Sequence, residues 1–137
     1  MDAPRQVKLA IFLSCAVVVI ETADRLWRIS MDSDATTFYR LGTNLRIATL
    51  ASAALVGTFI FFAARRHNWA RVAILVSTLG GWCLWCVWLF SAHASAEYVW
   101  WQWLGYGSLT AMELAALILL FRGKGALWYR SAPARSI

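Results

Sequence analysis

Ala64-Arg65-Arg66-His67-Asn68-Trp69-Ala70-Arg71 joins two long apolar runs. Neither the run before it, from Ile47 to Ala63, nor the run after it, from Val72 to Ala92, contains a charged residue. About 20 consecutive apolar residues span a bilayer as a helix, and so short a connection makes two such helices antiparallel. This stretch, called the basic turn below, therefore predicts a membrane hairpin.

The composition supports a membrane environment. Of the 137 residues, 61% are hydrophobic and only 15% are charged, whereas soluble domains carry about 25% charged residues. The net charge is +6, but the arginines lie between the apolar runs and form no continuous basic segment. We therefore expect the lipid bilayer, and not a nucleic acid, as the partner of these charges. The three cysteines are too few and too deeply embedded in apolar sequence for a disulfide framework.

The hydropathy pattern predicts an all-α, polytopic membrane protein: a four-transmembrane-helix bundle in a single domain, residues 1–137. The helices are expected at about 7–27, 43–64, 69–92 and 98–121, followed by a flexible tail at about 131–137. The first helix resembles a secretory signal, but no small-x-small cleavage site follows Ile20, so we expect it to be retained.

The basic residues are distributed unevenly over the predicted topology. An even number of spans places both termini and the basic turn on one side. Nine of the thirteen basic residues lie on that side: Arg5, Lys8, Arg65, Arg66, Arg71, Arg122, Lys124, Arg130 and Arg135. The positive-inside rule then predicts cytoplasmic termini in a bacterial inner membrane. Tryptophans mark the two interfaces: Trp69 and Trp128 inside, and Trp27, Trp100, Trp101 and Trp103 outside.

Glu113 is the first candidate functional residue, because an acid within a membrane span is costly and needs a partner. Its expected partners are the hydroxyls of the third and fourth helices, Ser77, Thr78, Ser108 and Thr110. Two roles remain open. Glu113 either couples transport to a proton, or it is a structural acid hydrogen-bonded between helices.

A polar cluster is predicted at the outer end of the first two helices. Glu21 is the second candidate intramembrane acid, and its i, i+4 spacing to Arg25 allows a pair along the helix. Arg46, one turn into the second helix, is expected to pair with Glu21 or Asp24. The cluster either fixes helix packing or forms a vestibule for a ligand or ion.

Cys83 and Cys86 are candidate redox residues, because cysteines at i and i+3 share a helix face and have the spacing of thiol–disulfide catalysts. The pair resembles that of the bacterial disulfide-forming membrane enzymes and of vitamin K epoxide reductase, which are also four-helix bundles. Those families use a second cysteine pair in an outer loop, and this sequence has only Cys15 besides. The alternative is that the cysteines are small side chains in a packed bundle.

The remaining motifs predict packing. His67 and His93 fall on opposite membrane faces, so we expect no metal site and no cofactor. Trp82, Trp85 and Trp88 form a ridge that faces lipid or a neighbouring helix, with a stacked quinone as the functional alternative. Three small-x-x-x-small pairs, Ala53/Gly57, Ser77/Gly81 and Ala111/Ala115, let helices approach closely. They leave open a compact bundle, a homo-oligomer or a membrane-protein partner.

The chain resembles a broad group of small bacterial four-helix inner-membrane proteins. The resemblance rests on Asn68-Trp69-Ala70-Arg71 before the third helix, and on Leu119-Leu120-Phe121 followed by Trp128-Tyr129-Arg130. It implies an architecture and no reaction. Ala16 to Thr22 is similar to the glutamate-containing stretch of small multidrug transporters. In size and basic charge the chain also resembles immunity proteins against pore-forming toxins.

These observations predict a membrane protein without catalytic activity that acts through protein or lipid contacts, as an accessory subunit or an immunity-type protein. The alternatives are a small transporter or channel that uses Glu113 or Glu21, and a thiol-redox protein that uses Cys83 and Cys86.

Overall fold

A computed structural model describes residues 3–31, 39–90 and 100–130. It describes the side chains of these residues except those of 39–43, 88–89 and 100–102. This part of the chain is all-helical. Five helices follow one another in this part of the chain: α1 Arg5–Met31, α2 Tyr39–Ala64, α3 Asn68–Phe90, α4 Trp100–Phe121 and α5 Gly123–Arg130. The first four are long and apolar enough to cross a membrane. The predicted four-helix membrane fold is confirmed, and the chain is a multi-pass membrane protein.

Several helix boundaries differ from those predicted. α1 begins at Arg5 and continues to Met31, and α2 begins at Tyr39, because these amphipathic ends extend past the apolar spans. The predicted end of the third helix, the predicted start of the fourth and the predicted flexible tail lie outside the described residues. The short α5 was not predicted at all.

The basic turn ends α2 with a Schellman motif. The amide of Arg66 donates to the carbonyl of Ala63 at 3.0 Å, and the amide of His67 donates to that of Phe62 at 3.0 Å. Arg66 has a φ of 72°, the left-handed conformation usually given to glycine at this position. The carbonyl of His67 then accepts from the amide of Ala70 as α3 begins. The residue before α3 is therefore His67.

Two glycines form the turn between α4 and α5. Gly123 has a φ of 57°, which a side chain would strain. At Gly125, a Cβ atom would overlap the carbonyl oxygen of Leu119 in the last turn of α4. The chain can therefore fold back at this point only because Gly125 carries no side chain.

α1 lies between α2 and α4 and packs closely on both, while α3 packs on α2. α3 and α4 approach each other much less closely, and long side chains bridge them. The buried core lies at the end of the bundle that holds the basic turn and α5. Its members come from all five helices: Val7, Ala10, Ile60, Ala63, Ala70, Ile74, Leu117, Leu120, Trp128 and Tyr129. This end of the bundle is called the basic end below.

The glycines of two small-residue motifs do not allow a close helix contact within the chain. Gly57 and Gly81 are exposed, and no heavy atom lies within 4 Å of the position that a Cβ would occupy. Their faces therefore point away from the bundle, toward lipid or another chain.

Candidate functional site

Glu113 bridges α3 and α4 through an unexpected partner. Its Oε2 atom accepts a hydrogen bond from the indole Nε1 of Trp82 at 2.5 Å. Two of the four predicted hydroxyl partners, Ser77 and Ser108, donate instead to carbonyls of their own helices, those of Ile74 and Gly105. Hydroxyls in a membrane span commonly bond the preceding turn in this way. Trp82 therefore faces α4 and supplies the donor that Glu113 needs.

A small cavity lies beside Glu113 in the middle of the bundle. Its volume is about 30 Å³, and its polar lining comes from Ser14, Thr78 and Glu113. Valine, isoleucine, leucine and alanine side chains of α1 to α4 form the remainder: Val17, Val18, Val56, Ile60, Ile74, Ala116 and Leu117. A space of this volume with two or three polar groups suits a water molecule. It is far smaller than the pockets that hold organic substrates.

The polar cluster faces α4. Glu21 pairs with Arg25 at 3.6 Å, and Asp24 pairs with Arg28 at 2.9 Å, both at i, i+4 spacing along α1. The hydroxyl of Tyr106 in α4 lies 3.5 Å from the second carboxylate. Because both pairs are partly exposed, each is worth about 0.3–0.5 kcal/mol.

The predicted pairing of Arg46 with Glu21 or Asp24 is wrong. Both carboxylates are already paired within α1, and Asp24 also meets Tyr106 on α4. Arg46 lies on α2 and its side chain is exposed. Among the described residues, the contacts of the cluster therefore connect α1 to α4 and do not include Arg46.

Cys83 and Cys86 are free and exposed on α3, and Cys15 is free and exposed on α1. The packed-bundle interpretation of these thiols is therefore wrong: they lie on the outer surface of the helices. Within residues 3–31, 39–90 and 100–130, no three His, Cys, Asp or Glu side chains are close enough to share a metal ion. His93 lies outside the described residues, as does the side chain of Trp88.

Trp85 packs on α4 through aromatic contacts. Its ring centroid lies 6.2 Å from that of Trp103 and 6.4 Å from that of Tyr106. Trp82 and Trp85 together fill the gap between α3 and α4, which their backbones do not close. These two tryptophans of the predicted ridge thus pack α3 against α4.

The most extensively bonded region is the basic end, where α5 docks against the hairpin. The hydroxyl of Tyr129 donates to the carbonyl of Ala63 at 2.7 Å, and Nε of Arg66 donates to the carbonyl of Trp128 at 2.7 Å. Both bonds connect residues more than sixty positions apart in the chain. They fix α5 to the last turn of α2 and explain how Arg66 is held in its left-handed conformation.

Arg71 connects α3 to the α4–α5 turn. Its guanidinium carbon lies 4.9 Å from the ring centre of Phe121 and 5.0 Å from that of Tyr129. Nη1 is 3.4 Å from the carbonyl oxygen of Leu120, at the negative end of the α4 dipole. Burial raises the pKa of Tyr129 to about 12, against the opposing effect of the Arg71 charge. The Tyr129 phenol therefore remains a hydrogen-bond donor at physiological pH.

Sequence reasoning missed this docking because it treated Trp128 as an interfacial marker. Trp128 and Tyr129 are instead buried, with 9% and 3% of their surfaces exposed. The available signal was an aromatic pair placed shortly after Gly123 and Gly125. That pattern is typical of a short helix folding back onto the end of the preceding one.

Comparisons with protein families, with curated proteins and with solved structures found no match to the chain.

Proposed function

We propose that this chain is a small bacterial inner-membrane protein that acts without catalysis, through contacts of its basic end with protein or lipid. The observation that carries the proposal is the docked α5, which forms a fixed surface with the basic turn. An accessory subunit or an immunity-type protein would use such a surface.

Charge supports the choice of this end. Both ion pairs in the described part of the chain lie at the opposite end, where they neutralise Arg25 and Arg28. Arg65, Arg122, Lys124 and Arg130 at the basic end are exposed. Their charges are available to an acidic partner or to anionic lipids, which are attracted to such clusters on the cytoplasmic side.

The proposed orientation has both termini in the cytoplasm, because positive charge is retained on that side during insertion. We expect alkaline phosphatase fused after Ile137 to be inactive, and the same enzyme inserted within residues 32–38 to be active. A green fluorescent protein fused after Ile137 is the matched control and should fluoresce. Phosphatase activity at the C-terminal fusion would reverse the orientation.

Contact at the basic end can be tested by photocrosslinking in membranes. A benzoylphenylalanine at Asn68 is exposed at the basic turn, whereas one at Leu84 is exposed on the other half of the same helix. We expect discrete, recurring adducts from position 68 and only bulk-lipid adducts from position 84. Identical adduct patterns at the two positions would contradict the proposal.

A proton-coupled role for Glu113 is the second candidate. It is favoured by the carboxylate's position beside a cavity that it shares with the Ser14 and Thr78 hydroxyls. The cavity size restricts this candidate to protons and water, and excludes an organic substrate at the same place. A thiol-redox role for Cys83 and Cys86 has weaker support, because both side chains face away from the bundle.

A further inference from the structure

A groove opens between the start of α1 and the outer side of α5. It has a volume of about 550 Å³ and is lined by Pro4, Lys124, Leu127, Trp128 and Arg130. The groove is shallow and open to its surroundings, so a phosphate-bearing headgroup and the first part of an acyl chain can lie along it without entering the bundle.

The lining combines two cations with an apolar wall. Lys124 and Arg130 are both exposed, and Leu127 between them is 64% exposed. Arg5 and Lys8 are also exposed in the first turn of α1. Among residues 3–31, 39–90 and 100–130, none of those that line the groove is acidic, so the described lining presents positive charge beside an apolar surface.

The position of the groove relative to the membrane indicates which kind of anion it would bind. Pro4 directly precedes the α1 span, and Lys124 follows the α4 span by three residues. The groove therefore lies where the membrane-spanning helices end, at the level of the lipid headgroups. An apolar wall next to cations at this depth matches a molecule that has both a phosphate and a hydrocarbon chain.

We propose that this groove binds the headgroup of an anionic phospholipid, with the phosphate held by Lys124 and Arg130 and the start of an acyl chain against Leu127. The inference rests on the proposed function, since it names lipid as one contact of the basic end. The carbonyl of Trp128 accepts a hydrogen bond from Arg66. This bond holds the backbone of α5 beside the groove in place whether or not a lipid is bound.

Retention of lipid by the purified full chain can be measured by native mass spectrometry after exchange into detergent with phosphatidylglycerol or phosphatidylcholine. We expect selective retention of phosphatidylglycerol. Because each exposed charge pair with the phosphate contributes up to about 1 kcal/mol, K124Q/R130Q should weaken retention by up to about thirtyfold. R65Q/R122Q removes the same charge from the same end outside the groove and should retain the lipid nearly as well as the parent.

Two further measurements distinguish the binding of a lipid from the binding of free phosphate. L127Q removes the apolar wall, and we expect it to weaken retention of phosphatidylglycerol while leaving binding of glycerophosphate unchanged. Millimolar inorganic phosphate should not displace the lipid. Displacement by phosphate alone, an equal loss in both double variants, or equal retention of both lipids would overturn the proposal, as would an acidic protein occupying the groove.

The outcome is distinguishable from failure of the proposed function. Loss of lipid selectivity together with discrete protein adducts at position 68 overturns only the lipid site. Absence of discrete adducts of any kind overturns the proposed function itself. All the substituted side chains are exposed, and an unchanged melting temperature confirms that each variant is folded.

Discussion

Gly125→Ala is expected to destabilise the protein by about 2–3 kcal/mol, the upper range for forcing extra atoms into a packed site. The added Cβ would overlap the carbonyl oxygen of Leu119, which belongs to the rigid backbone of α4. The turn can relieve this overlap only by moving α5 away from the basic turn. The bonds of Tyr129 to Ala63 and of Arg66 to Trp128 would then be lost together.

The measurement is the thermal or denaturant unfolding of the purified protein in detergent. Gly57→Ala is the matched control, because its added Cβ meets no atom within 4 Å. Replacing glycine by alanine inside a helix typically stabilises it by about 0.5–1 kcal/mol, so the two variants should shift stability in opposite directions. Equal stability of the two variants would show that α5 does not depend on its close approach to α4.

Trp82→Phe is expected to destabilise the protein by about 2 kcal/mol, because it leaves the Glu113 carboxyl without its donor inside the bundle. Removing both partners should cost much less than removing one, since no polar group then remains unsatisfied. We therefore expect Trp82→Phe combined with Glu113→Leu to recover most of the lost stability. The coupling between these positions should be about 1–2 kcal/mol.

Trp85→Phe provides the control for this cycle. It shortens a neighbouring tryptophan that packs on Trp103 and Tyr106, so its cost should be the same with or without Glu113. Unfolding curves of the single and double variants give both couplings. Proton uptake by vesicles containing Glu113→Gln examines the second candidate function, and unchanged uptake would reject it.

The sequence was sufficient for the four spans because each is a long and largely apolar run, as Ile47 to Ala63 is between Arg46 and Arg65. The position of Glu113 within an apolar span also identified it as an acid in need of a partner. The sequence did not identify Trp82 as that partner. The choice depends on how α3 rotates toward α4, and no pattern within either helix determines this rotation.

The other wrong or missed predictions, those for Arg46, the cysteines and α5, also depended on how the helices pack against one another. Arg46 has the correct charge and depth to pair with Glu21, but the polar cluster faces α4 because Tyr106 is there. The cysteine spacing predicted a shared helix face, and only packing determines that this face points outward. α5 escaped detection because eight residues are too short for a periodic signal, and because its stability comes from tertiary contacts.

The docking of α5 also sets an order of assembly. Its hydrogen-bond partners, the carbonyl of Ala63 and the side chain of Arg66, are synthesised some sixty residues before Tyr129 and Trp128. During translation the hairpin of α2 and α3 is therefore made before its contacts with α5 can form. These contacts form only when α4 has inserted and α5 folds back, so the docking of α5 is the last step in the assembly of the five described helices. A nascent chain halted before Gly123 would leave the basic turn without this cover.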